Sequence, residues 1–321
     1  MRTLVTTCFL WCCAMLCSTS LWAVPQSAAS AMSKPTQLLL LVSQRNAETV
    51  AEAARRVAQL HPDIRIQART DTQLLELPAD QRRALLAGAD YVAGAGLFGA
   101  VVNELANDLR QQPIANLLLF NSDHRLVLQS KVAGNAVFPD KNTVESLSAQ
   151  RPDGDFDGWL TALLAQYPGQ APWLRARSYW QAGGAENSIR LLTWMAQQSG
   201  ARIQAQPARP QPRLRWWYQQ QYSARLPKLQ SRRPVVVILD HAGGERPSDS
   251  NLLSRMCAQA ATAHDLECLV GLATWGDASV QALESLQPLA PRIASVVMLQ
   301  DFVMGGGEGR EQATELSLIH I

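Results

Sequence analysis

Two stretches hold residue types that can do chemistry. In the first, Asp240 and His241 are followed closely by Glu245 and Asp249, putting one imidazole and three carboxylates in a single loop. Such a set can relay a proton near neutral pH or hold a divalent ion weakly, because imidazole titrates there and its ring nitrogens ligate metals. The spacing matches no zinc pattern, and polar residues are common in any loop, so a solvated turn stands beside the site reading. The second stretch is Gly305-Gly306-Gly307-Glu308-Gly309, ahead of a helix expected from about Glu311. Glycines let backbone N–H groups approach an anion at a helix N-terminus. No Gly-Lys-Ser/Thr follows, and the run is not a GxGxxG fingerprint, so a flexible turn is the simpler reading. Asp240, His241, Gly305, Gly306 and Gly307 are the candidate ligand-binding residues. His61, His124 and His264 are isolated, and no Ser-His-Asp set, HExxH or CxxC marks the body. Spacing alone assigns no catalytic residue and names no reaction.

The elements around these stretches alternate. Residues 37–42 form a continuous apolar run, 47–60 carry apolar residues at helical spacing, and 63–68 alternate as a strand. Helices are expected over 80–86 and 103–109, and strands over 89–95 and 114–120. Residues 156–167, 171–180 and 186–198 then read as three helices carrying Trp159, Trp173, Trp180 and Trp194. Tryptophans at this spacing can stack on a flat ligand or fill a core. Gly200 is the expected cap of the third helix. Residues 207–233 are Pro- and Arg-rich and read as a linker or packing arm. A second strand–loop–helix series follows: strand 235–239, helix 251–264, strand 266–270, helix 279–286, strand 293–299. The fold class is α/β, with Rossmann-like parallel-sheet domains flanking a helical, Trp-rich segment. Open sheets of this kind bind ligands beyond the carboxyl ends of their strands, which selects the loops at 94–99, 240–249 and 301–309.

The ends of the chain read differently from its body. Met1-Arg2 starts an apolar run over 4–16, and small residues follow, with Ala23 and Ala31 as expected cleavage points of an export signal; an uncleaved membrane anchor is the alternative. Residues 1–31 are therefore set apart from an N-terminal α/β domain (32–150), the helical segment (151–206), the linker (207–233) and the start of a second α/β domain (234–315). Residues 316–321 back-translate onto a sequencing-library adaptor, so C-terminal truncation is expected. Cys8, Cys12, Cys13 and Cys17 fall in the signal. Cys257 and Cys268 remain, as a pair in an oxidising compartment or as two buried thiols. Net charge is +2, with basic residues scattered, so no nucleic-acid surface is expected.

Several segments together resemble the large-subunit family shared by cobaltochelatase (CobN) and magnesium chelatase. They are Leu86-Ala87-Gly88-Ala89-Asp90-Tyr91-Val92 with the helix at 103–109; the stretch from Tyr179-Trp180-Gln181 through Gly183-Gly184 and Asn187 to Leu191-Leu192; the strand from Pro234 to Leu239; and Ser295-Val296-Val297-Met298-Leu299 leading to Phe302 and Gly305-Gly306. The loop after Leu239 departs from the family pattern, as does the export signal.

The resemblance implies that the intact protein is a metal chelatase. It would bind a tetrapyrrole, corrin or porphyrin, and insert or remove a divalent metal such as cobalt, magnesium or iron, as in cobalamin biosynthesis. ATP would enter only through partner subunits. Expected partners are the tetrapyrrole with AAA+ and accessory chelatase subunits, or envelope uptake proteins. An exported, periplasmic or membrane-anchored location is expected, and the fragment alone is expected to be inactive. The alternative is an exported two-domain periplasmic solute-binding protein.

Overall fold

The structure is a computed structural model describing residues 34–299, apart from 151, 153, 243–246, 275 and the side chains of 247–250. The expected export signal, the adaptor residues and Gly305, Gly306 and Gly307 lie outside the described residues. In chain order the first part comprises β1 (Thr36–Val42), α1 (Ala47–Leu60), β2 (Ile64–Thr70), α2 (Asp71–Glu76), α3 (Ala79–Ala87), β3 (Tyr91–Ala95), α4 (Val101–Gln111), β4 (Leu117–Phe120), α5 (His124–Val127), β5 (Lys131–Val132), β6 (Asn135–Ala136) and α6 (Lys141–Ala149). The Trp-rich helices are α7 (Phe156–Gln166), α8 (Ala171–Ala182) and α9 (Gly184–Gln198). The second part comprises β7 (Leu214–Tyr218), β8 (Gln221–Ser223), β9 (Val235–His241), α10 (Pro247–His264), β10 (Glu267–Ala273), α11 (Asp277–Leu286) and β11 (Ile293–Met298).

The first sheet has the order β2-β1-β3-β4-β5-β6, parallel through β4 and closed by a short antiparallel hairpin. Leu38 to Val42 are all buried because β1 is covered on both faces, which is why that segment is apolar without alternation. Leu38, Leu40 and Val42 pack with α1, α8 and α9 in one core; Leu39 and Leu41 pack with Leu74, Leu86 and the α4 residues Val101, Val102 and Leu105 in the other.

The Trp-rich helices are thus a layer of the first sheet. Trp173 is fully buried and its indole N–H donates to the Leu119 carbonyl at 2.7 Å, while Trp194 meets Tyr91 edge-on with ring centroids 5.8 Å apart. These two tryptophans are core. Gly200 ends α9 as expected, at φ +90, with Ala201 N–H donating to Ala196 O and Gly200 N–H to Gln197 O. That is the paired 6→1 and 5→2 closure a left-handed residue permits.

The second sheet has the order β11-β9-β10-β7-β8. β9, β10 and β11 are parallel; β7 joins β10 antiparallel and turns back as β8. This corrects the linker expectation for residues 207–233: their centre, Trp216-Trp217-Tyr218, is buried strand. Trp216 and Trp217 alternate between the two faces of the sheet, one in each core, a period-two pattern masked by flanking prolines and arginines. α2 also lay unread, although Thr70 and Gln73 form the reciprocal hydrogen bonds of a capping box.

Cys257 and Cys268 are disulfide-bonded, joining α10 to β10. Of the two alternatives for these cysteines, the paired one is observed.

Candidate functional site at the carboxyl ends of the strands

In both sheets one strand has its neighbours on opposite sides reached by crossovers: β1 lies between β2 and β3, and β9 between β10 and β11. Helices leave to opposite faces there, which opens a crevice beyond the carboxyl ends. In the first sheet this places the 94–99 loop beside the turn that follows β1. The two loops touch closely: at Gly96 (φ +72) a Cβ would lie 3.1 Å from Ser43 Oγ. Ser43 Oγ donates to Asn46 Oδ1 at 2.8 Å, and Gln44 N–H donates to Asp71 Oδ1 at 2.9 Å. The loop after β4 is stitched to its neighbour by Gly96 N–H to Asn121 O and by Leu97 N–H to Ser122 Oγ, at 3.0 and 3.1 Å.

Asn121 is the centre of this rim. It sits at φ +47, a conformation Asn tolerates better than most residues, and its Oδ1 accepts from Gln181 Nε2 at 3.1 Å and Arg177 Nε at 3.5 Å. Arg177 is fully buried, with its guanidinium 5.7 and 5.3 Å from the Trp159 and Trp173 rings. It donates to Ser148 and Gln150 carbonyls as well, so the cation is held by π faces and backbone oxygens. Trp180, next to Gln181, is half-buried with its ring centroid 6.1 Å from Phe120 at the end of β4. The Asp123 carboxyl is held below its usual pKa range, chiefly by the hydrogen bond from the Arg125 side chain. Ser43, Asn121 and Gln181 thus supply hydroxyl and amide groups at this rim, with the buried Arg177 fixing Asn121 and the half-buried Trp180 next to Gln181 in the chain.

In the second sheet Asp240 and His241 stand at the carboxyl end of β9, as their place in the sequence requires. Asp240 is buried, and its Oδ1 accepts from the His241 backbone N–H at 2.8 Å. Their other two loop partners, Glu245 and the Asp249 side chain, and the glycines 305–307 lie outside the described residues. Among the described residues no group of three or more His, Cys, Asp or Glu is arranged to hold a metal ion, and no helix is long and apolar enough to cross a membrane.

Two buried carboxylates outside the crevices were not read from the sequence: Asp108 on α4, paired with Arg82 at 2.6 Å, and Glu267. Glu267, at the amino end of β10, accepts from Tyr218 OH, from Ser231 Oγ at 2.7 Å and from Arg292 Nη2 at 2.9 Å. Burial pushes its pKa up, but the hydrogen bonds from Tyr218, Ser231 and Arg292 outweigh that and leave it below the usual range. This cluster clasps the 230–233 segment to the sheet, at the end remote from the crevice. Two surface grooves are also present: one of about 290 Å³ on α4 and α5, with Arg125 of the Asp123 pair in its wall, and one of about 500 Å³ at the amino ends of β3 and β4.

No family model matches the sequence, and no curated protein matches it. Among solved structures, the catalytic subunit of cobaltochelatase from Mycobacterium tuberculosis is similar, with a TM-score of 0.41 and 17% identity over 82% of this chain and 18% of that one. The chain thus spans less than a fifth of that subunit's length. Strand order and register, not this similarity, define the α/β fold described above.

Proposed function

We propose that the chain is the front of a large chelatase-like subunit and that the crevice of the first sheet takes part in binding a tetrapyrrole. One observation carries this reading. The Tyr179-to-Leu192 segment, which bears the sequence resemblance, forms the α8–α9 junction and delivers Trp180 and Gln181 to the rim beside Asn121. A half-covered indole with amide donors suits a flat macrocycle edged by carboxylate or amide groups. Metal insertion or removal would also need bases for two pyrrole protons; Asp240 and His241 are the titratable pair at the second crevice. Cobalt, magnesium or iron would be substrate, and ATP would act through AAA+ partners. The disulfide supports an exported location, since such bonds persist in oxidising compartments.

The solute-binding reading also has an observation in its favour, the two α/β sheets with a crevice in each. Titration of the full chain with protoporphyrin, hydrogenobyrinate a,c-diamide and haem separates the two. A shifted tetrapyrrole absorption band that weakens about tenfold in Trp180→Ala, the order expected for losing an aromatic contact, supports binding at this rim. No shift with any of the three, together with thermal stabilisation by a small polar solute, would sink the tetrapyrrole reading.

A further inference from the structure

Charge along the chain is uneven in a way that the binding role above does not use. Between Glu186 and Asp240 the sequence has nine Lys and Arg residues and no Asp or Glu, while the rest of the chain carries 20 basic and 27 acidic residues. Eight of the nine are arginine, whose planar fork grips a carboxylate through two parallel hydrogen bonds where lysine offers a point charge. Arg209, Arg213 and Arg225 among them are exposed.

The fold fixes where these three stand. Asn187, buried in α9, holds the Arg209 backbone at both polar groups: its Oδ1 accepts from Arg209 N–H at 2.8 Å and its Nδ2 donates to Arg209 O at 2.7 Å. Two residues on, Gln211 N–H donates at 3.0 Å to the carbonyl of Ala182, the neighbour of Gln181 that reaches Asn121 at the first rim. After two more, Arg213 O accepts from Thr274 N–H at 2.8 Å, and Leu214 pairs with Ala273, which pairs in turn with His241. Thr274 lies just past the carboxyl end of β10. Residues 209–213 therefore run from the rim of the first crevice to the edge of the second. Arg225 follows β8, which returns antiparallel to β7 toward that same edge, and Ser223 Oγ accepts its N–H at 3.1 Å. Arg215 braces the path, donating to Gln211 Oε1 at 3.3 Å with its guanidinium 5.0 Å from the Tyr222 ring.

We propose that Arg209, Arg213 and Arg225 form an anion-binding bridge between the two crevices, which takes the peripheral carboxylates of a tetrapyrrole. This role rests on the tetrapyrrole reading and adds a preference to it, for macrocycles with more free carboxylates. Trp180 serves the apolar face of the ring and the arginines its charged edge.

Absorption titrations of the full chain with uroporphyrin, coproporphyrin and protoporphyrin, in falling order of carboxylate number, test the bridge. Arg213→Gln with Arg225→Gln should weaken uroporphyrin about tenfold or more and protoporphyrin least, with the melting temperature kept, whereas Trp180→Ala should weaken all three alike. Uroporphyrin binding should also fall as salt is added. Arg213→Lys with Arg225→Lys should recover only part of the affinity, because charge returns without the fork. If the Gln variant binds uroporphyrin as tightly as the parent, or loses all three porphyrins equally, the bridge is overturned while the tetrapyrrole reading stands. No band shift in the parent with any of the three removes both.

Discussion

The two sheets begin alike and are secured differently. The first buries its central strands on both faces and is held by apolar packing, with the Trp-rich helices as its third layer. The second has smaller cores, an exposed β11, a disulfide between α10 and β10, and a buried charged clasp around Glu267. A sheet with less apolar cover depends more on specific bonds, since burial is the main favourable term in folding. That contrast makes the second sheet the one sensitive to reductant.

Four variants test the contrast, taken from the largest effect downward. Trp173→Ala should cost about 3–5 kcal/mol in chemical denaturation, because it empties a fully buried site and removes the indole hydrogen bond to the Leu119 carbonyl. If the loss were under about 1 kcal/mol, the first sheet would not be held by that layer.

Cys257→Ser with Cys268→Ser, or reduction of the parent, should cost about 2–3 kcal/mol, the loop-closure value for a short crosslinked segment. Free-thiol titration of the unreduced protein must find the pair oxidised for that prediction to stand.

Glu267→Gln should cost about 2 kcal/mol at pH 7, since hydrogen bonds to a charged acceptor are lost or weakened. The sign of its pH dependence follows from the lowered folded-state pKa. Stabilisation is complete above the unfolded-state value and is lost as pH falls through the folded one. The parent should therefore weaken below about pH 4, and the Gln variant should show a flatter profile there. Parallel profiles would remove Glu267 from the clasp.

Thr70→Ala, which deletes the α2 cap, should cost about 1 kcal/mol and leave both crevices intact. A tetrapyrrole titration unchanged from the parent would check the second half of that statement.

Much of the fold was legible in the chain. Apolar runs without alternation marked β1, β4 and β9, and the helical spacing of α1, α4 and α9 was equally plain. The candidate sites were only half legible. Asp240 and His241 fell at a strand's carboxyl end, as polar residues directly after an apolar run predict. Asn121, which also follows an apolar run directly, was passed over because a lone amide signals nothing by itself. Its partners, Arg177 and Gln181, lie more than fifty residues away and are linked to it only through packing. Glu267 escaped for the same reason: its donors come from β7, the 230–233 segment and the turn before β11.

Local pattern, by itself, determined the central strands and long helices, such as β1, β4, β9, α1 and α9, and which ends of the sheets are their carboxyl ends, because periodicity and turn chemistry act over a few residues. Only the tertiary structure decided that the Pro/Arg-rich stretch enters a sheet, that Trp173 is core while Trp180 is half-covered, and that Cys257 meets Cys268. Each of those outcomes depends on a partner distant in sequence, and burial and hydrogen-bond satisfaction exist only once that partner is in place.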